Sequence, residues 1–310
     1  MITQDFGTEK INNIGKLGYE VIVKKDSKVN ISEEIIDIDV LVCFNPFKTL
    51  DISKLNKLKL IQLTSAGINQ VPADIVREKG IILSNNRGGY SIPIGEWIVL
   101  KILEMAKNSR RFYKQQSEKI WKMDTSLTEI YGKTVGFIGT GDIAQEAAKR
   151  LKGFDATILG LNTSGKDVTF FDRCYTTSQI REMVTRCDIV VVSMPYTEKT
   201  HHIINKEVFD AMKDGVCIVN IARGSIIDEK EMINQLNSGK IKGAALDVFE
   251  EEPLNESNPL WDMENVIVTP HNSWASELVN ERRFYIVHEN LRRYISGEDL
   301  INVVNINKGY

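Results

Sequence analysis

Thr134-Val135-Gly136-Phe137-Ile138-Gly139-Thr140-Gly141-Asp142-Ile143-Ala144 is the stretch on which the fold turns. Its first five residues read as a short buried strand, and the residues after Gly141 begin a helical pattern. Between them the glycines keep the G-x-G-x-x-G/A spacing. Gly139 permits a tight reversal, Gly141 lets the backbone approach a pyrophosphate, and Ala144 is small enough for the helix to lie against the strand. Free N–H groups at the helix start, around Asp142 and Ile143, attract anions. A glycine turn alone would be a weak sign. Placed between strand and helix, it reads as the entry to a dinucleotide-binding unit.

Working outward, short β-branched runs alternate with helical patterns on both sides, the signature of parallel sheets with crossover helices. The expected strands before the turn are Tyr19–Val23, Val40–Phe44, Leu58–Thr64 and Ile81–Ser84, with helices over Thr8–Leu17 and Pro72–Lys79. Only Met1–Phe6 precede the first helix, too few for a full opening strand. An amphipathic helix over Pro93–Ser109 shows Trp97, Leu100, Leu103 and Glu104 at helical spacing, and a polar arm runs on to Tyr131. The later strands are Thr134–Ile138, Thr157–Leu161, Ile189–Ser193, Val216–Asn220, Gly243–Asp247 and Val266–Thr269, and a last helix covers Ser276–Ser296.

Bulk properties narrow the function classes. The 310 residues are 42% hydrophobic and 26% charged, as in an ordinary soluble protein with room for two cores. A net charge of −3 without a basic stripe argues against a nucleic-acid partner. The apolar runs are strand-length, so no membrane partner is expected, and Met1–Lys10 has no signal-peptide core. Cys43, Cys174, Cys187 and Cys217 lie far apart, without metal-ligand spacing or a disulfide pattern; free thiols imply a reducing, cytoplasmic setting and no metal.

At the end of the second strand of the dinucleotide series, a carboxylate would hydrogen-bond the ribose of NAD. The chain has Asn162, followed by Thr163, Ser164 and Lys166. Nothing acidic repels a 2′-phosphate there, which favours NADP while leaving NAD open.

Three further segments place polar residues just past strand ends: Asn220-Ile221-Ala222-Arg223-Gly224, Asp247-Val248-Phe249-Glu250-Glu251-Glu252-Pro253, and Pro270-His271. Singly each is unremarkable, since a loop arginine caps carbonyls and an acidic run is usually a solvated face. Together, Arg223, Glu252 and His271 supply what carbonyl reduction needs. These are a cation at the oxygen, a proton source, and a carboxylate to orient that source.

With these motifs and Val191-Val192-Ser193-Met194-Pro195, Thr197 and Thr200, nearly the whole chain resembles the D-isomer-specific 2-hydroxyacid dehydrogenase family. The resemblance implies a Rossmann-type dinucleotide-binding domain (93–275) inserted into a flavodoxin-like α/β substrate domain (1–92 and 276–310). It also implies a homodimer built on the helix after Pro93 and its arm. Arg223 would hold the carboxylate and carbonyl of a small 2-oxo or 2-hydroxy acid. His271 would exchange the proton, and Glu252 would hydrogen-bond His271 and stabilise its imidazolium. Pro195, Thr200, Ala222 and Asp247 would line the cofactor, the last at its nicotinamide end. Ser65, Ala66, Gly67 and Asn85 would bind substrate, with Trp274 either narrowing that pocket or packing as core. Arg87 would meet a second anionic group or simply be solvated. A dinucleotide-sensing binding protein on the same fold is the alternative, and no C-terminal regulatory domain is expected.

Overall fold

In the computed structural model, described for residues 1–306, the chain divides into two units: Met1–Tyr90 with the chain from Ser276 onward, and Ser91–Ala275. Residues 307–310, placed above in the substrate domain, lie outside the described residues.

The first unit contains α1 (Thr8–Gly15), β1 (Val40–Cys43), β2 (Leu60–Leu63), α2 (Ala73–Glu78), β3 (Ile82–Ser84) and a long helix over Val279–Ser296. β1, β2 and β3 pair in parallel in that order, and β1 and β2 are buried at all four positions. Continuous apolar runs suit strands covered on both faces.

The expected strand Tyr19–Val23 does not form. Val23 makes only an isolated parallel bridge to Ile2, which also bridges Val42 of β1. Met1–Thr3 thus lies between residues 22–24 and β1, with Ile2 N–H on Ile22 O at 2.8 Å and Thr3 N–H on Val42 O at 2.9 Å. A segment this short offers one rung, so its neighbour cannot extend into a ladder. Counted along the chain, the strand positions run 2-1-3-4-5 across the sheet, the flavodoxin-like order. The missing opening strand is therefore present at minimal length.

The second unit holds α3 (Ser91–Ala106), α4 (Ser109–Ser117), β4 (Thr134–Ile138), α5 (Asp142–Leu151), β5 (Thr157–Asn162), β6 (Arg173–Thr176), α6 (Ile180–Val184), β7 (Ile189–Val192), α7 (Lys206–Ala211), β8 (Val216–Asn220), α8 (Glu229–Asn237), β9 (Ile241–Leu246) and β10 (Val266–Val268). All seven strands are parallel, in the order β10-β9-β8-β7-β4-β5-β6. The order reverses at β4, whose neighbours are β5 and β7; ligands of open parallel sheets bind at the carboxyl ends of strands at such a reversal.

Two sequence expectations are corrected here. β6 was not expected: only Cys174 and Tyr175 of its four residues are buried, so its apolar run is too short to stand out. And α3 buries Ile94, Ile98, Lys101 and Ile102, whereas Leu100 is half-exposed. The stripe read as Trp97, Leu100, Leu103 and Glu104 is rotated from the buried one. Gly95 explains the chosen face, because a Cβ there would come within 2.8 Å of Glu146 Cβ and 3.1 Å of Ala147 N on α5. Close helix contact, rather than bulk apolarity, sets the orientation.

Among the described residues, no helix is long and apolar enough to cross a membrane, and no group of His, Cys, Asp and Glu is arranged to hold a metal.

Candidate active site

The turn between β4 and α5 shows why its glycines are where they are. Gly139 has φ +108°, and a Cβ there would lie 2.7 Å from Met194 N. The loops after β4 and β7 therefore touch at the reversal point, and Ser193 Oγ donates to Gly139 O at 3.0 Å. At Gly141 the opposite holds: a Cβ would meet nothing within 4 Å. Gly141 is the N-cap of α5 and makes no side-chain cap bond to it. Ala144 is fully buried. Open space beside a helix start without a side-chain cap, at Gly141, Asp142 and Ile143, fits the pyrophosphate of a dinucleotide.

As the last residue of β5, Asn162 organises the loop that follows. Its Oδ1 accepts from Ser164 N at 3.1 Å, Ser164 Oγ at 3.0 Å and Gly165 N at 2.7 Å. Its Nδ2 donates to Lys166 O at 3.0 Å and Thr140 Oγ1 at 3.3 Å. The asparagine amide is thus engaged within the protein. It shapes the exposed Thr163–Lys166 turn and ties it to the glycine turn.

Arg223, Glu252 and His271 converge from three loops. Asn220, the last residue of β8, accepts from Ala222 N at 3.0 Å and donates to Arg223 O at 3.1 Å, which fixes the tight loop carrying the guanidinium. Arg223 Nη1 donates back to Ala222 O at 2.6 Å. Burial lowers the Arg223 pKa from its ordinary value, and the nearby Glu252 charge opposes that shift. The guanidinium stays cationic throughout the working range. Gly224 follows because a Cβ there would collide with the backbone of Phe249 and Glu250, so the arginine loop and the Glu252 loop are in van der Waals contact.

Glu252 is held at both oxygens. Oε1 accepts from Phe249 N at 3.1 Å, and Oε2 lies 2.8 Å from His271 Nδ1. An ionised carboxylate only accepts, so Nδ1 of the neutral imidazole carries the proton and Nε2 is left to exchange one. His271 sits at φ +50°, a left-handed conformation uncommon for a residue with a side chain. Asp247, beyond β9 and fully buried, helps hold that loop: it accepts from Thr269 Oγ1 at 2.6 Å, Asn272 N at 3.0 Å and Ser273 N at 3.0 Å. Trp274 Nε1 donates to His271 O at 2.9 Å while its ring stays 40% exposed. The dyad itself is open to solvent.

Pro195 and Thr200 belong to the loop after β7. Thr200 Oγ1 donates to Pro195 O at 3.1 Å and accepts from Thr197 N at 2.7 Å. In the first unit, Asn85 Nδ2 donates to Ala66 O at 2.8 Å and Asn85 Oδ1 accepts from Arg87 N at 3.1 Å. Ser65 Oγ donates to Gly67 O at 2.8 Å, so Ser65, Ala66, Gly67 and Asn85 form one local cluster. Sequence reasoning quoted Gly224 only as the end of the arginine motif and gave neither it nor Thr269 a role. It also missed His202 and Glu250, whose pairing joins distant segments.

Residues 99–273, more than half the chain, match the family described as "D-isomer specific 2-hydroxyacid dehydrogenase, NAD binding domain". A D-3-phosphoglycerate dehydrogenase of Methanocaldococcus jannaschii is 36% identical over 310 residues, 99% of this chain and 59% of the relative. A hydroxypyruvate reductase of Thermotoga maritima is 34% identical over 263 residues, 83% of this chain and 85% of its own. The chain thus spans 59% of the length of the Methanocaldococcus jannaschii relative, and likewise 59% of a D-3-phosphoglycerate dehydrogenase of Archaeoglobus fulgidus. Among solved structures, the NADPH-dependent glyoxylate/hydroxypyruvate reductase of Sinorhizobium meliloti, determined with NADP and sulfate, superposes with a TM-score of 0.84. It has 26% identity and covers 100% of this chain and 98% of its own.

Proposed function

The chain belongs to the D-isomer-specific 2-hydroxyacid dehydrogenase family, and from that premise we propose that it interconverts a small 2-oxo acid and its D-2-hydroxy acid with NADP(H). The observation that carries the reading is the 2.8 Å contact of Glu252 with His271 Nδ1, with half-buried Arg223 in the field of the same carboxylate. The bound dinucleotide supplies or accepts the hydride. Arg223 binds the substrate carboxylate and polarises the carbonyl. His271 delivers a proton from Nε2 to the developing alkoxide and takes it back in the oxidative direction. Glu252 keeps the ring in the tautomer that leaves Nε2 facing the substrate, and its charge offsets the imidazolium. Asp247 acts on this step through the loop it clamps, in addition to any contact with the nicotinamide end. Ser65, Ala66, Gly67 and Asn85 are assigned to substrate recognition, and Trp274 to the substrate wall next to His271.

For the cofactor, Gly139, Gly141, Asp142 and Ile143 take the pyrophosphate, with Pro195, Thr200 and Ala222 along the dinucleotide. The turn built by Asn162 presents Thr163, Ser164 and Lys166 to a 2′-phosphate. Asn162 is a builder of that turn, and the lack of a carboxylate at this position supports NADP over NAD. The relatives bear enzyme names, which favours turnover over the dinucleotide-sensing alternative.

We further propose a homodimer through the arm after α4. Trp121 is fully exposed and Met123 85% exposed, apolar surface that a second copy would cover. Sedimentation should give twice the chain mass, with Trp121→Glu shifting it to monomer; a wild-type monomer at micromolar concentration removes the proposal. The free cysteines, with Cys187 pushed up to about 12 by burial, suit a cytoplasmic, reducing setting.

The test of the reaction is a matrix of glyoxylate, hydroxypyruvate, phosphohydroxypyruvate and pyruvate against NADPH and NADH, followed at the reduced-nicotinamide absorbance. At least one acid should be reduced, with a lower KM for NADPH. Absence of turnover on all four rejects the reaction, and a lower KM for NADH rejects the cofactor preference alone.

A further inference from the structure

His202 lies outside the trio, yet it touches two of the three loops that carry it. Its backbone N–H donates to Ser225 O at 2.9 Å, two residues after Arg223. Its ring Nε2 is 2.6 Å from Glu250 Oε1, two residues before Glu252. The segment beyond His202 stays alongside the arginine loop, since Ile204 pairs in parallel with Ile227. The segment before it begins at Ser193 and Met194, against Gly139. One continuous stretch, 193–204, therefore runs from the glycine turn to the acid–base loops.

Two features make the His202–Glu250 bond more than a surface pair. His202 has φ +48°, a left-handed conformation rare for a side-chain-bearing residue, so its surroundings hold it there. And Glu250 is fixed from several sides. Its Oε1 also accepts from Glu229 N at 3.2 Å, and its own N–H donates to Glu229 Oε2 at 3.2 Å. The His201 ring stacks on His202 with centroids 3.9 Å apart, and Tyr196 OH is 3.4 Å from His201 Nδ1. Glu250 and its neighbour Phe249 also lie directly against Gly224. The Phe249–Glu250 backbone thus lies against the arginine loop, while the Glu250 side chain is held by the His202 ring.

We propose that His202 is a positioning residue that, through Glu250 and Ser225, sets the placement of Glu252 and Arg223 relative to each other. Neither His202 nor Glu250 touches the reacting atoms in this scheme. They hold the loop from which Glu252 reaches His271. The proposal rests on the reaction assigned above for its kinetic consequence, and on geometry alone for its spectroscopic one.

The test compares His202→Ala, His202→Gln and Glu250→Ala with the wild-type protein. Gln retains a nitrogen donor at a reach similar to imidazole Nε2. Displacing a catalytic group by a fraction of an ångström lowers turnover steeply, so His202→Ala and Glu250→Ala should each lose about tenfold in kcat with KM for the dinucleotide within about twofold; His202→Gln should recover most of the loss. Independently of any substrate, side-chain nitrogen NMR of the protein's four histidines reports the His271 tautomer. The Nδ1–H form imposed by Glu252 should give way to a mixture in both alanine variants and return in His202→Gln. A folded His202→Ala protein with unchanged kcat and an unchanged His271 tautomer overturns the proposal. If the tautomer shifts but the wild type reduces no 2-oxo acid, the positioning role stands and the assigned reaction fails. Should His202→Ala not fold, Glu250→Ala cuts the same bond from the other side and decides by the same readings.

Discussion

The two ends of the seven-stranded sheet use the same side chain for opposite purposes. At the amino ends, Asp188 accepts from Thr134 N at 2.8 Å and Lys213 Nζ at 2.9 Å, and Asp172 accepts from Ile158 N at 2.7 Å and Lys152 Nζ at 2.6 Å. Each ties the start of one strand to its neighbour and is neutralised by a lysine. At the carboxyl ends, Asp247 and Glu252 also accept backbone N–H groups, but their other bonds go to a threonine hydroxyl and to an imidazole. There each acid holds a loop in place, and Glu252 also meets the His271 ring. Acids that are matched to lysine fasten strands. Acids that are matched to loops position chemistry.

Substitutions at the two ends should therefore separate activity from stability. The largest effect belongs to His271→Ala, where loss of the general acid should cost about 10²–10⁴ in kcat for 2-oxo acid reduction, measured by initial rates, with little change in Tm. Asp247→Asn comes next. An amide cannot accept all three of the loop's bonds, so the His271 loop shifts, and kcat should fall by about tenfold to a hundredfold. It should also lower Tm, because a buried donor left unpaired costs about 1–3 kcal/mol. If Asp247→Asn unfolds no earlier and turns over at the wild-type rate, the contrast between the two ends is broken.

Asp188→Asn should do the reverse: unaltered kcat and a modest loss of about 1 kcal/mol in chemical denaturation. Burial alone would raise the Asp188 pKa, but the Thr134 N–H bond and Lys213 outweigh it, with a net lowering from 3.8. A carboxyl depressed in the folded state stabilises above its unfolded pKa, and that stabilisation disappears as pH falls through the folded value. The gap between wild type and Asp188→Asn should thus be full at pH 7 and close below about pH 3.8. A gap that persists in acid would show that packing, not charge, ties these strand starts.

Much of this architecture is legible in the sequence because it is locally constrained. Gly139 is demanded by its own φ and by Met194, Gly141 leaves open space at a helix start, and the strand-end polar residues follow from the geometry of parallel sheets. Arg223 and His271 stand out because each comes three residues after an apolar strand run, and Glu252 because it ends the acidic run beyond β9. Features set by partners distant in sequence were invisible. Whether Tyr19–Val23 becomes a strand depends on its pairing with Met1–Thr3, where only the single bridge Ile2–Val23 forms. The buried face of α3 depends on α5, reached through Gly95. β6 carries only two buried residues, and its parallel pairing with β5 supplies what its composition lacks. His202 showed no motif at all, since its role comes from a glutamate 48 residues away.

The central claim is that the His271 ring, oriented by Glu252, supplies the proton for reduction of a 2-oxo acid. The most direct measurement is rescue of His271→Ala by added imidazole, with hydroxypyruvate and NADPH as substrates. The expected result is a rate lowered by at least about 10² that rises saturably with imidazole concentration. A His271→Ala protein that reduces hydroxypyruvate within about twofold of the wild-type rate, with no imidazole present, contradicts the claim.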